Sequence, residues 1–505
     1  MAHLLGLDIG TTGCKAALFD ETGKSLGAAT AEYPLIHPRP GWAEQDPETW
    51  WISTVEAIRS LLRQTGTDAS EIAGIGLSGQ MHGAVLLDEN IQPVRHAIIW
   101  SDQRTTAQCR EITNRIGAER LIRLTGNPAL EGFTAPKVLW VRENEPEVFA
   151  RARLLLLPKD YIRYRLTGEI ATDVSDAAGT LLFDVQHARW SGEVLDALRL
   201  DESFLPPVRA SADQCGAIMQ EVAAKTGLAE GTPVVAGGAD NACGAVGTGA
   251  VSDGLGLLSI GTSGVLLAFS AEPRIEPGGR IHTFNHAVPR AFYLMGVTQG
   301  AGFSLRWLRD VLRVQDDRDM EAYSIMTAEA AQVPPLSSGL IFLPYLQGER
   351  TPHMDALARG VFFGLSGAHT RAHLIRAVME GVAYSLRDSW EILRGLGVEL
   401  DAIRVAGGGA RSELWLHILA DGLGTELART TAAEGPAFGA ALLAAVGVGV
   451  YRDLPAACGA TIAVAGRVEP DPDTSRRYDQ GYQVYRTLYP TLQKTFVDAS
   501  ALVQP

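Results

Sequence analysis

Apolar positions along the chain fall into two alternating patterns. Short aliphatic runs end in glycine, as in LLGLDIG (4–10), IAGIGLSG (72–79), TPVVAGG (232–238) and LGLLSIG (255–261), and each reads as a buried strand. Longer stretches between them carry helical spacing. Asp46 and Pro47 open one as N-cap and first helical residue, and Trp51, Val55, Ile58 and Leu62 then share its apolar face. Residues 373–397 read as a long amphipathic helix ending at glycine, and 403–424 as strand, glycine turn and helix. From Ser475 to Phe496, six residues (Tyr478, Tyr482, Tyr485, Tyr489, Leu492 and Phe496) recur at helical spacing, which predicts a helix packing its aromatics back onto the body. Strands and helices mixed through both halves predict an α/β protein.

One turn occurs twice. Aligning Gly10 with Gly261, an offset of 251 in 505 residues, matches Leu7, Ile9, Gly10, Thr11 and Gly13 to Leu258, Ile260, Gly261, Thr262 and Gly264. Each copy reads as strand, tight turn, strand. The first is armed with Asp8 and Lys15, where the second has Ser259 and Leu266. The repeat predicts two related domains, a pseudo-twofold pair of sheets with a cleft between them. We place the domains at 1–247 and 248–450, with 451–505 as a helical extension packing back on the body.

Composition narrows the function. A formal charge of −14 argues against a general nucleic-acid binder, which needs a basic face, but leaves room for a local site for a small anion. The start MAHLLGLDIG lacks the cationic opening of a signal peptide, and the longest uncharged apolar run, 438–451, is too short and glycine-rich to span a bilayer comfortably. Five scattered cysteines, none in CxxC spacing, suggest neither a disulfide framework nor a zinc site, so a reduced cytoplasmic setting is expected.

Four stretches carry candidate chemistry. A Gly-Thr-Thr-Gly hairpin lets backbone N–H groups and hydroxyls converge on an anion, with Lys15 adding charge and Asp8 suited to hold Mg²⁺ through water. Two ordinary hairpins are the alternative for either turn alone; two such turns facing one cleft favour a nucleotide–metal site. In GGADNACGAVG (237–247), Asp240 reads either as a plain helix N-cap or as a general base for a substrate hydroxyl, with Asn241 beside it for a polyol. In SGQMHGAV (78–85), Met81 and His82 are core residues or sit exposed at a strand end, where α/β sheets bind ligands. The glycines of AGGGARSELW (406–415) suit a flat ring lying on bare backbone, with Glu413 one turn into the next helix.

Taken with HPRPGWAEQDPETWW, GFTAPKVLWVREN, LLPKDYIRYRLTGE, FLPYLQGERTPH and GVFFGLSGAHTRAHLIRAVMEGVAYSL, these stretches make the chain resemble the FGGY family of carbohydrate kinases from about residue 4 to about residue 490. The resemblance implies the actin/Hsp70/sugar-kinase fold, two duplicated ribonuclease-H-like domains closing on ATP and sugar. It implies Asp240 as catalytic base and Asp8 near a Mg²⁺–phosphate, with Met81, His82, Asp240 and Asn241 on the sugar. It further implies Thr11, Thr12, Lys15 and Thr262 at the phosphates and Gly302, Gly408, Gly409 and Glu413 around the nucleotide. Met81 and His82 stand where glycerol-phosphorylating members carry an Arg–Glu pair, which suits a longer ketopentose such as D-xylulose; ribulose, gluconate or another polyol is the alternative. A cytoplasmic homodimer is expected from the resemblance. Two rival classes fit less well. An actin-like ATPase chaperone needs a peptide-binding domain, for which little chain follows the second domain, and a sugar-responsive repressor needs a DNA-binding helix pair before the first strand.

Overall fold

The structure, a computed structural model, describes residues 2–314, 319–432 and 434–502. Two seven-stranded sheets form its core. The first contains β1 (His3–Ile9), β2 (Gly13–Phe19), β3 (Ser25–Glu32), β4 (Ile72–Gly79), β5 (Gln214–Ala217), β6 (Pro233–Val235) and β7 (Gly238–Ala239). The second contains β8 (Gly254–Ile260), β9 (Gly264–Ser270), β10 (His282–Asn285), β11 (Phe292–Thr298), β12 (Leu400–Ala406), β13 (Leu427–Thr430) and β14 (Val464–Val468). The orders are β5–β6–β4–β1–β2–β3, with β7 also on β4, and β14–β13–β12–β8–β9–β11–β10. In both, an antiparallel three-stranded meander adjoins a parallel pair and an antiparallel edge. The duplication read from one turn thus extends over six strands.

The helices that build and flank the site are α1 (Pro47–Thr65), α2 (Thr134–Asn144), α3 (Pro158–Thr167), α4 (Val174–Ala178), α5 (Asp240–Thr248), α6 (Gly302–Val311), α7 (Arg371–Gly395), α8 (Glu413–Leu423) and α9 (Gly435–Gly447). The last helix of the chain, α10 (Pro472–Ser500), buries Tyr478, Tyr482, Tyr485, Tyr489 and Phe496 against the second half, as their spacing requires. Asp46 caps α1 through the N–H of Glu48, but the buried face is turned from the expected one. Trp50, Thr54, Ala57, Ile58 and Leu61 lie inside with Trp51, while Val55 and Leu62 are half-buried. Trp50 goes inward because its indole N–H reaches Gln45 Oε1 at 3.1 Å, a partner that helical spacing cannot reveal. Residues 451–505 are not purely helical either, since β14 closes the edge of the second sheet.

The halves join through two crossed helices. α9 follows a strand of the second sheet yet lies on β1 and β4 of the first, while α5, from the first half, touches β8 and β12 in return. The approach is backbone to backbone. A Cβ on Gly6 would stand 1.8 Å from Ala437 O, one on Gly76 1.9 Å from Ala440 O, and one on Gly439 1.9 Å from Cys243 O. Only glycine fits, because the obstructing atoms are main chain and cannot turn aside.

Gly76→Ala is therefore expected to lower unfolding free energy by about 1–3 kcal/mol or more, the range for overpacked cores. Gly395→Ala, in a helix where an added Cβ meets nothing within 4 Å, should instead raise it by up to about 1 kcal/mol. Urea unfolding of both variants checks this, and equal midpoints would refute the close approach.

Candidate active site

Three parallel strands end side by side. Asp8 on β1 registers with Ser78 on β4, and Ser78 with Gly238 on β7. The residues just beyond, Met81 and His82 after β4 and Asp240 after β7, therefore emerge at the edge where Asp8 already stands, the edge at which open α/β sheets bind ligands. Asp240 is the first residue of α5, with Ala239 as the cap. Its Oδ1 accepts from the backbone N–H of Asn241 at 2.7 Å and from Asn241 Nδ2 at 3.0 Å. Asn241 Nδ2 also reaches Met81 Sδ at 3.6 Å, and the Tyr293 hydroxyl meets the same sulfur from the second sheet at 3.7 Å. Met81, Asp240 and Asn241 thus form one group, closed from the other domain by Tyr293.

His82 has φ 71°, in the left-handed region. Thr134 Oγ1 and Lys137 Nζ, both on α2, donate to its carbonyl at 3.1 and 2.9 Å and hold it there. Its Nδ1 lies 2.6 Å from Gly179 O. A carbonyl only accepts, so Nδ1 carries the hydrogen and Nε2 is left as an acceptor. Burial, helped by the Lys137 cation, lowers the His82 pKa to about 3, so the ring is neutral at working pH. Phe133 and Phe284 pack on it with centroids at 4.7 and 6.1 Å.

Burial and the nearby Asp8 carboxylate push Asp240 up to about 7, against the Asn241 hydrogen bonds. Burial also raises Asp8, with Ser78 and Lys15 pulling the other way. Asp8 Oδ1 is buried without a hydrogen-bond partner. A hard carboxylate oxygen left open at a strand end fits a water-shelled Mg²⁺, which takes few protein ligands. Among the described residues, no group of three or more His, Cys, Asp and Glu side chains gathers as a metal cage.

Beneath Asp240 lies a buried charge cluster, part of which comes from the LLPKDYIRYRLTGE stretch. Lys159, Asp160, Arg163, Asp173 and Asp176 are all fully buried. Lys159 Nζ lies 2.7 Å from Asp160, 2.9 Å from Asp173 and 3.4 Å from Asp176. Burial works against the Lys159 charge, but the three carboxylates outweigh it and raise its pKa. Asp173 Oδ2 takes the hydroxyls of Ser175 and Ser211 at 2.5 and 2.8 Å, and Ser175 Oγ accepts the N–H of Ala239 at 3.0 Å. Arg163 holds Ala236 O at 3.0 Å. The strand segment leading into Asp240 is thereby fixed from below. The one trace of it in the sequence is a charged run, PKDYIR, entering an otherwise apolar stretch.

The phosphate and nucleotide candidates divide between the halves. In the first hairpin, Gly10 N–H meets Gly13 O at 3.1 Å and Trp100 Nε1 donates to Thr11 Oγ1 at 2.9 Å, while Thr12 is exposed. The second hairpin is one residue tighter, with Ile260 pairing Gly264 where Ile9 pairs Cys14. The position facing Ser259 is consequently Val265 and not Leu266, the counterpart of Lys15 facing Asp8. Lys15 Nζ is 2.8 Å from Glu434 at the head of α9, an ion pair between the halves. Gly302 N–H bonds Gly261 O at 2.9 Å, and Phe303 N–H bonds Thr262 O at 3.0 Å, so α6 starts against the second hairpin. Gly409 packs on Ile260 from the other side, and a Cβ on Gly408 would meet nothing within 4 Å. Thr262, Gly302, Gly408 and Gly409 thus surround one strand end. Glu413 pairs with Arg429.

Two topologically equal halves, each offering a phosphate-type hairpin to the same seam, define a sugar kinase of the actin-like ATPase fold. The FGGY carbohydrate kinase N-terminal domain matches residues 3–247 and the C-terminal domain 256–448, so the chain belongs to the FGGY family of carbohydrate kinases. It is 42% identical over 489 residues to the xylulose kinase of Bacillus subtilis, covering 97% of each chain. Among solved structures, xylulose kinase from Rhodospirillum rubrum superposes with a TM-score of 0.90 at 32% identity, over 98% of this chain and 99% of that one. A gluconate kinase from Lactobacillus acidophilus superposes at 0.92 with 28% identity, over 98% and 99%. The family's substrates are a sugar and ATP. Among the described residues, no helix is long and apolar enough to cross a membrane.

Lys159→Met should destabilise the fold by about 3–5 kcal/mol, the penalty for stranding buried charge. The stranded carboxyls would have raised pKa values in the folded state, so folding would take up protons and the deficit should shrink as pH falls. Urea midpoints at pH 5 and pH 8 test the sign; a deficit independent of pH would show that Lys159 does not neutralise the cluster.

Proposed function

We propose that this kinase transfers the γ-phosphoryl group of ATP to O5 of D-xylulose, yielding D-xylulose 5-phosphate and ADP, with Asp240 as general base. The sugar is inferred from relatives bearing that activity at 42% identity over nearly the whole chain. The role of Asp240 is carried by one observation: a partly exposed carboxyl at a strand end, pushed up to about 7, beside Met81 and Asn241 and near Asp8. A base with its pKa near the working pH is ionised enough to act and basic enough to take the proton. O5–H donates to the ionised carboxylate, and as the O5–P bond forms and the bond to the β-phosphate bridging oxygen breaks, Asp240 keeps the proton and later releases it to solvent.

Met81, His82 and Asn241 hold the sugar, the neutral His82 ring accepting a hydroxyl at Nε2. Thr11, Thr12 and Thr262 with the hairpin N–H groups, and Lys15 on its release from Glu434, receive the phosphates. Gly302, Gly408 and Gly409 leave bare backbone for the nucleotide, and Glu413, fixed by Arg429, walls its edge. Mg²⁺, when bound through water to Asp8, neutralises triphosphate charge. A division near 247/248 and 450/451 and a cytoplasmic homodimer complete this reading.

Asp240→Asn should keep the fold and sugar binding while lowering turnover at least the roughly 10²–10⁴-fold typical of a lost general base. A coupled ADP-release assay with D-xylulose, ribulose and gluconate measures it; near-normal turnover would remove Asp240 from the role. In the wild type, protonation silences the base, so kcat/KM should fall about tenfold per pH unit below an apparent pKa near 7, a value that belongs jointly to Asp240 and Asp8. A flat profile from pH 5 to 8 would contradict this.

A further inference from the structure

Arg350 stands in the second half but reaches the first. A Cβ on Gly132 would lie 3.7 Å from Arg350 Nη2, and Gly132 directly precedes Phe133, whose ring packs on His82. The guanidinium also acts on both His82 and His282, helping to keep them neutral. It is only partly exposed, yet it makes no hydrogen bond and no ion pair among the described residues. The two nearest carboxylates are engaged elsewhere. Glu131 accepts from Thr106 Oγ1 at 2.8 Å. Glu349 accepts from Thr298 Oγ1, Gln299 N, Arg350 N and Ser385 Oγ at 2.6, 2.9, 2.8 and 3.1 Å.

Those bonds also explain the aim of the side chain. Thr351 N–H donates to Val297 O at 3.0 Å and Val297 N–H to Thr351 Oγ1 at 3.1 Å, so residues 349–351 lie along the end of β11. Glu349 and Thr351 are almost wholly buried in the second half. Between them, the Arg350 side chain reaches the first half at Gly132. Its backbone is anchored on both sides, and its cation is left without a hydrogen-bond acceptor among the described residues. A half-buried charge without a protein partner is unfavourable, and such groups concentrate at functional sites.

We propose that Arg350 is a specificity-determining residue that grips the α-hydroxyketone end of the sugar, its forked N–H donors spanning the C2 carbonyl oxygen and the C1 hydroxyl. The inference rests on the reading of this site as one that phosphorylates a ketopentose. A guanidinium fork matches two adjacent oxygens, which a point-charge ammonium does not. The placement also suits the chain of the sugar. Asp240 groups with Met81 and Arg350 lies beside His82, so the two contact opposite ends of a five-carbon substrate, O5 and C1–C2. Because Arg350 comes from the second half and His82 from the first, a ketose bridges the halves through its carbonyl end, whereas a pentitol offers no carbonyl to the fork.

The test compares D-xylulose with its C2-reduced counterparts, xylitol and D-arabinitol, by titration calorimetry and ADP-release kinetics. In Arg350→Met, kcat/KM for D-xylulose should fall about 10- to 100-fold, mostly through KM, the range for a lost hydrogen bond to a charged group. Affinity for the two pentitols should change less than about threefold, because their C2 oxygen is a tetrahedral hydroxyl and not the planar carbonyl acceptor that the fork reads. Arg350→Lys should recover part of the ketose affinity, and carries the test alone if the methionine variant does not fold, with an expected KM rise for D-xylulose only. Equal losses for ketose and pentitols, or an unchanged KM for D-xylulose, would overturn the assignment. A wild-type enzyme that fails to phosphorylate D-xylulose would instead sink the ketopentose reading itself, so the two failures are distinguishable.

Discussion

Everything at the site depends on how closely α9 can lie on the first sheet. Its backbone rests on the backbones of β1 and β4 at Gly6 and Gly76, and it meets α5 at Gly439. Main-chain contact of this kind leaves no side chain to absorb an error, so it fixes how the halves meet at this contact. α5 begins with Asp240, and α9 begins one residue after Glu434, which holds Lys15. The two helices that lock the halves together therefore also deliver a carboxylate and a cation-holding acid to the cleft.

Electrostatics at the strand ends follows from the same packing. Asp8 and Asp240 are brought into an edge where burial raises the pKa of both, and the Asp8 carboxylate raises Asp240 further. A site like this is unfavourable until cations arrive, which suits one that receives a metal-bound triphosphate. The cluster below has the opposite character. Lys159 and Arg163 offset only part of the charge of the three aspartates, burial pushing the Asp176 pKa well up, but Asp173 takes several donors and so acts as a footing. A hydrogen-bonded base beneath an undercompensated edge is the arrangement expected of preorganised catalysis.

The paired hairpins show how a duplicated unit can specialise. Both keep the glycine turn, but the second is one residue shorter, so the positions facing its strand end are Ser259 and Val265 where the first has Asp8 and Lys15. An uncharged hairpin can approach phosphate oxygens without repelling them, while the charged one suits a metal. The loss of both charges comes from substitution, since either register sets an apolar residue, Val265 or Leu266, where the first hairpin has Lys15.

Much of this was legible in the linear chain. Glycine-ended aliphatic runs and helical spacing announced the α/β class, the repeated turn announced the duplication, and the motifs around Asp8, Met81, His82 and Asp240 announced a kinase, because strand ends, glycine turns and lone acids leave local marks. Other features depend on residues far apart in sequence and leave little or no local mark. The inward turn of Trp50 needs Gln45; the footing of Asp240 needs Lys159, Asp173, Ser175 and Ser211; the ion pair of Lys15 needs Glu434, 419 positions away. Arg350 belongs to the same group, since only the clamping of Glu349 and Thr351 onto β11 aims it across the cleft. Periodicity encodes which face a residue shares with its near neighbours, but which distant group completes its hydrogen bonds or charge is settled by the packing of the two sheets.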